Sequence, residues 1–205
     1  GRHVVEPSTD LFQNQYQVTA PRWDADNEHV TFEFNERGHK TYRVLELSAV
    51  TGQVRTLIEE KNDKYINYNR QRRIDLKDGK HIIWTSERDG RHHIYLYDRQ
   101  KGQLVRQITK GEYYVRGIQH VDEEAGVIYF SACGMVKEED PYLIHYYKIG
   151  INGKGLVCLT PEEGNHKVTY TEDMAYKIDT YSTVTTPPVT VLRSGKDGRI
   201  LRTLE

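Results

Sequence analysis

Cysteine is scarce: Cys133 and Cys158 are the whole complement of a 205-residue chain. Two thiols exclude a disulfide-stapled scaffold and leave either one bridge, in an oxidising compartment, or two buried thiols. Buried thiols are the expectation, because the residues between them read as two further strands rather than one tight turn. Long apolar runs are also missing. Hydrophobic residues make up 37% of the chain, and no run of them approaches the ~20 residues that cross a bilayer as a helix. Neither sign of charge is in excess: 29 Lys and Arg against 30 Asp and Glu give a formal charge of −1, so no net field recruits nucleic acid or anionic lipid. No basic-then-apolar leader stands at Gly1, and the expectation is that an export signal has been cleaved or lies outside this segment. These deficits exclude a membrane-spanning segment, a disordered tail and a coiled coil.

Tyrosine is what the chain has in quantity, 15 residues against four Phe and two Met. That bias favours strands, where aromatic and β-branched side chains pack on a pleated surface. Internal repetition then decides the architecture. The clearest unit, DGKHIIWTSERDGRHHIYLYDRQKGQLVRQIT at 78–109, parses as strands over 81–86, 92–98 and 104–109, joined by Asp89-Gly90 and Lys101-Gly102 turns. Asp-Gly between alternating apolar runs is a strong hairpin signal. The plan recurs as HVTFEFN, TYRVLEL, Thr51-Gly52 and QVRTLI; as VIYFSA, LIHYYKI, Asn152-Gly153 and GLVCLT; and as AYKIDTYS, PPVTVLR, Asp197-Gly198 and ILRTL. Its turn glycines, Gly52, Gly102, Gly153 and Gly198, are 50, 51 and 45 residues apart.

A further extended stretch precedes each copy, for example YQVTAPRW at 16–23 and KVTYTED at 167–173. The reading is all-β: a β-propeller segment of four four-stranded antiparallel blades, at roughly 10–60, 61–110, 111–160 and 161–205. Phe32, Trp84, Ile94 and Phe130 are expected to pack between blades. Four blades close into a small ring or form an arc of a larger one, and periodicity does not separate the two. An arc would leave two apolar blade faces that favour a homodimer.

The search for chemistry finds little. No G-x-S-x-G, P-loop or dinucleotide-binding glycine pattern occurs. His92 and His93 point to opposite faces of one strand and so do not share a metal, and no His and carboxylate pair has zinc-site spacing. His166 is expected as a hydrogen-bonded residue of an inter-blade loop. The acidic cluster Glu138, Glu139 and Asp140, within GMVKEEDPY at 134–142, reads as a solvated loop. Arg70, Arg72 and Arg73 read as positive charge guarding an edge strand. No catalytic, cofactor-binding or metal-binding residue is assigned.

Two stretches resemble a known family. IWTSERDGRHHIYLYD at 83–98 followed by GQLVRQITKGEYYV at 102–115, and the run from IYFSA through CLTPEEGNH to YTEDMAYKIDTYSTVTTPPVTVLR at 170–193, closely resemble the N-terminal propeller of dipeptidyl peptidase IV-type serine peptidases, in the prolyl oligopeptidase superfamily. The resemblance runs from about Trp23 to Glu205. It implies the C-terminal half of an eight-bladed propeller, followed after Glu205 by an α/β-hydrolase domain with a Ser-Asp-His triad. It also implies a periplasmic or extracellular enzyme that removes dipeptides with proline or alanine second, the propeller gating the access of peptide substrates. The loop at Tyr68–Arg70 is then placed near the substrate pocket. The family's D-W-x-Y-E-E-E motif is absent, and the pairs Glu59-Glu60, Glu123-Glu124, Glu138-Glu139 and Glu162-Glu163 lack its aromatic context, so no amine-binding residue is carried over. The alternatives are a TolB-like envelope propeller that binds proteins and a free-standing four-bladed structural propeller.

Overall fold

The computed structural model describes residues 4–205. They divide into two compact units: residues up to Gly90 together with Tyr95–Arg106, and Arg91–Ile94 together with Gln107–Glu205.

In the first unit a short 3-10 turn (Asp10–Phe12) precedes β1 (Gln15–Val18), β2 (Arg22–Trp23), β3 (His29–Glu36), β4 (Thr41–Ser48) and β5 (Val54–Lys61). These form one antiparallel sheet in the order β1-β3-β4-β5, with β2 also paired to β3. The stretch read from sequence as one strand, 16–23, is therefore two. Pro21 has no N–H to give a ladder, and the chain breaks there after Thr19 has bonded the Glu33 carbonyl at 2.9 Å. The next sheet runs β6 (Arg73–Asp75), β7 (His81–Ser86), β8 (His93–Asp98) and β9 (Gln103–Gln107), in that order, and all but its ends belongs to this unit. β7 is buried along nearly its full length, as expected of a strand covered on both faces. The core joins Tyr42, Val44, Leu57 and Ile58 to Ile82, Trp84, Tyr95 and Tyr97.

The second unit holds two four-stranded antiparallel sheets. One is β10 (Tyr114–Asp122), β11 (Val127–Cys133), β12 (Ile144–Gly150) and β13 (Val157–Cys158); the other is β14 (Asn165–Tyr170), β15 (Tyr176–Ser182), β16 (Val189–Ser194) and β17 (Ile200–Thr203). Both follow chain order. Ile128, Phe130, Ala132, Tyr147 and Ile149 are among the buried residues of the first of these sheets. Cys133 and Cys158 are both free thiols.

Two repeated devices account for the regular spacing. An aspartate closes the turn before the second long strand of every sheet. Asp26 Oδ1 accepts from the amides of Glu28 and His29 at 2.8 and 3.0 Å, Asp78 from Lys80 and His81 at 2.7 and 3.0 Å, Asp122 from Ala125 at 2.9 Å and Asp173 from Ala175 at 3.0 Å. These are Asx turns, which the short carboxylate makes with backbone two or three residues on. The turn glycines supply the second device. Gly52, Gly102, Gly153 and Gly198 all have positive φ, between 61° and 80°. A Cβ on Gly102 would lie 2.7 Å from the Thr56 carbonyl oxygen, and one on Gly198 2.3 Å from that of Leu159. The turns at Gly102 and Gly198 thus rest on backbone near the last strand of the preceding sheet, at a distance no side chain allows.

Candidate functional site

Residues 62–72, which connect β5 to β6, form the most distinctive surface feature of the first unit. Asn62 Oδ1 accepts from the amides of Lys64 and Tyr65 at 2.9 and 3.3 Å and turns the chain. Ile66 N then bonds the His39 carbonyl at 2.8 Å, which pins the loop to the β3–β4 turn, and a 3-10 turn follows at Tyr68–Arg70. His39 itself has φ 55°. Its ring stacks on Tyr68 at 4.8 Å, meets the edge of Tyr16 at 4.6 Å and lies 5.7 Å from Tyr65. Its Nδ1 donates to Asn35 Oδ1 at 3.1 Å, which fixes the ring's orientation. Tyr16 and Tyr65 remain 51% and 50% exposed. The Tyr68 hydroxyl donates to the neighbouring Tyr16 hydroxyl, which favours the protonated phenol and holds it above its usual value. Three tyrosines and an imidazole therefore present a fixed aromatic surface with an affinity for apolar rings and cations. No nucleophile paired with a base stands among them.

A cleft of about 430 Å³ lies elsewhere in the same unit, lined by Asp24, Asp26, His29, Glu46, Arg55 and Arg99. Arg55 bonds Glu46 at 2.6 Å, and Arg99 spans Asp24 and Glu46. The backbone amide of Glu28 and the His29 ring hold Asp26 at about 2, and the same contact raises His29. Both guanidiniums of the cleft are thus spent on its own carboxylates.

The second unit buries a polar network. His145 Nδ1 lies 2.6 Å from the Thr160 carbonyl oxygen and its Nε2 lies 2.7 Å from Glu139. His166 Nδ1 lies 2.9 Å from Asp179 and its Nε2 lies 2.8 Å from the Glu162 carbonyl oxygen. Arg193 Nε donates to Asp179 at 2.8 Å, and its guanidinium also closes on the Glu162 carboxylate. The two imidazoles are 4.9 Å apart. Among the described residues no group of three or more His, Cys, Asp or Glu is arranged to hold a metal ion.

The family model for the dipeptidyl peptidase IV N-terminal region matches residues 1–188. The chain belongs to that family. Two solved structures share the fold of this dipeptidyl peptidase IV N-terminal region. One is dipeptidyl peptidase 4 from Porphyromonas gingivalis, 24% identical, with a TM-score of 0.70 over 90% of this chain and 25% of that one. The other is a protein assigned as a dipeptidyl aminopeptidase IV from Bacteroides ovatus, 24% identical, with a TM-score of 0.73 over 94% of this chain and 29% of that one. The chain thus spans between a quarter and a third of the length of these relatives.

Several residues singled out from sequence lie elsewhere than expected in this N-terminal region. His166 is on β14, fully enclosed, rather than on a loop, because the strand begins at Asn165. The acidic loop is only partly solvated: Asp140 accepts from the Tyr142 amide at 2.9 Å, whereas Glu139 turns inward to His145. Arg73 does lie on the edge strand β6, but its side chain is buried against Asp75 and Thr31 at 2.8 and 3.0 Å, while Arg70 is exposed. His92 and His93 are both buried on separate partners, Val115 O for one and Thr109 Oγ1 with Gly111 O for the other. Glu60, of the Glu59-Glu60 pair, bonds Trp84 and Arg88. His145, Lys177, Asp179 and Arg193 escaped sequence reasoning altogether. The one signal was the polar alternation of YKIDTYS, which reads as a solvent face.

Proposed function

We propose that this segment is the non-catalytic propeller portion of a serine exopeptidase that releases N-terminal dipeptides of the Xaa-Pro or Xaa-Ala type. The observation that carries the reading is the family match across residues 1–188. The chain contains no G-x-S-x-G, so the nucleophile and its triad belong to a hydrolase domain carried elsewhere in the protein. The role of this segment is to screen which peptides reach that domain, in the periplasm or outside the cell.

The loop at 62–72 is the part of the first unit that meets the peptide in this reading. Tyr68, held by His39 and Tyr16, offers a ring face to an apolar or cationic group at low conformational cost, because the contacts already fix it.

The test is capture of the native polypeptide from its source cells with an antibody against this segment. Cleavage of an Xaa-Pro chromogenic substrate is then measured with and without a serine-directed inhibitor. Inhibitor-sensitive release supports the reading. Captured protein that binds envelope proteins and releases nothing replaces it with a TolB-like binding propeller.

A further inference from the structure

We propose that Lys177 and Tyr170 form a buried site for one halide-sized monovalent anion. Lys177 stands on β15 directly between Tyr170 of β14 and Arg193 of β16. It is 1% exposed, and its Nζ makes no hydrogen bond; the Tyr170 hydroxyl is likewise buried and without one. The ammonium lies 5.6 Å from the centre of the Tyr170 ring. Two donors, one of them cationic, therefore belong to directly paired residues, and neither has a hydrogen-bond acceptor.

The surrounding acceptors are already committed. Asp179 takes His166 Nδ1 and Arg193 Nε, and the Glu162 carboxylate takes the Arg193 guanidinium. The Glu162 carbonyl takes His166 Nε2, and the Gly198 carbonyl takes Arg193 Nη1 at 2.9 Å. From β12, Tyr146 accepts from the Val168 amide at 3.4 Å, and Lys148 reaches the Lys196 carbonyl. Burial holds the Cys158 thiol above its ordinary value, so it stays neutral.

A buried ammonium with no hydrogen-bond acceptor, its contact being the face of the Tyr170 ring, is costly, and a second cation directly across the strand pair adds to that cost. Burial, and then the Arg193 charge, pull Lys177 down to about 8. An anion accepting from both Nζ and the phenol would relieve desolvation and repulsion together. At 1% exposure no peptide, nucleotide or membrane reaches the amine, which limits the occupant to atomic size. Chloride is the physiological member of that class.

The test uses the natural full-length protein. Crystals soaked in sodium bromide are measured at the bromine absorption edge, where an anomalous peak within hydrogen-bonding reach of Lys177 Nζ is expected. A position that scatters as water, with no anomalous signal, overturns the site. In solution, the unfolding midpoint is compared in sodium chloride and sodium gluconate at equal ionic strength. A rise of roughly 2 °C in chloride is expected, and its loss in Lys177→Met. Chloride dependence that persists in Lys177→Met overturns the assignment. Should that variant fail to fold, Tyr170→Phe keeps the ring and removes one donor, and undiminished chloride dependence there overturns the assignment equally.

Discussion

Trp84 Nε1 donates to the Glu60 carboxylate at 2.7 Å, and Arg88 closes on the same oxygen. The Arg88 guanidinium lies over the rings of Tyr95 and Tyr97 at 4.7 and 5.5 Å. The indole, fully buried, thus fills the core and also gives a hydrogen bond to a buried carboxylate whose charge Arg88 balances.

Trp84→Ala is expected to cost about 3 to 5 kcal/mol through the cavity it leaves. Trp84→Phe keeps most of the volume and loses only the donor, at a cost of about 1 kcal/mol, because Arg88 still pairs with Glu60. Chemical denaturation of both variants checks the ranking. A loss below about 1 kcal/mol for the alanine variant removes Trp84 from the core.

Gly198 and Gly79 separate backbone strain from steric contact. Both have positive φ, 80° and 64°, but a Cβ on Gly198 meets the Leu159 carbonyl at 2.3 Å while one on Gly79 meets nothing within 4 Å. Gly79→Ala is expected to cost about 1 kcal/mol. Gly198→Ala must also push two backbone segments apart and should cost more than about 2 kcal/mol. Equal losses would show that the turn does not rest on the preceding sheet.

Lys177 has a pH signature in halide-free buffer. Its folded value, about 8, lies below the ordinary 10.5. Between the two the unfolded chain keeps a proton that the folded chain has shed, so stability rises with pH across that window. The rise is on the order of 3 kcal/mol and is absent from Lys177→Met. Cys158, raised by burial from 9.0, acts in the opposite direction above that pH. The difference between the two proteins, from denaturation at pH values from about 7 to 11, is therefore what is read. Parallel profiles would contradict a buried amine without a hydrogen-bond acceptor.

Tyr68→Ala in the full-length protein tests the aromatic loop. Loss of one aromatic contact worth about 0.5 to 1.5 kcal/mol should lower kcat/KM for a peptide roughly 2- to 10-fold. Hydrolysis of a minimal chromogenic dipeptide should change less, since it is too short to reach along the propeller. Unchanged kcat/KM for long peptides would remove this loop from the substrate path.

The strands were legible because period-two alternation, Asp-Gly and Asn-Gly turns and the spacing of Gly52, Gly102, Gly153 and Gly198 all follow from local chemistry. The β15 face was not. On YKIDTYS the usual rule turns Ile178 inward and Lys177 and Asp179 outward, yet Ile178 is 46% exposed while Lys177 and Asp179 are enclosed. Arg193 and His166, distant in sequence, bond Asp179, and no pattern within one strand announces them. Glu139 was misread for the same reason: its partner, His145, lies six residues on, across the loop. Tyr68 was singled out by the family resemblance, whereas its supports, Tyr16 on β1 and His39 in the β3–β4 turn, carry no motif.

The measurement closest to the central claim is mass spectrometry of peptide products formed by the purified full-length protein. The substrate is a long peptide with proline second, supplied once with a free amino terminus and once acetylated. The account predicts a single N-terminal dipeptide from the free peptide and no cleavage of the acetylated one. Internal cleavage, tripeptide release or an intact free peptide would contradict it.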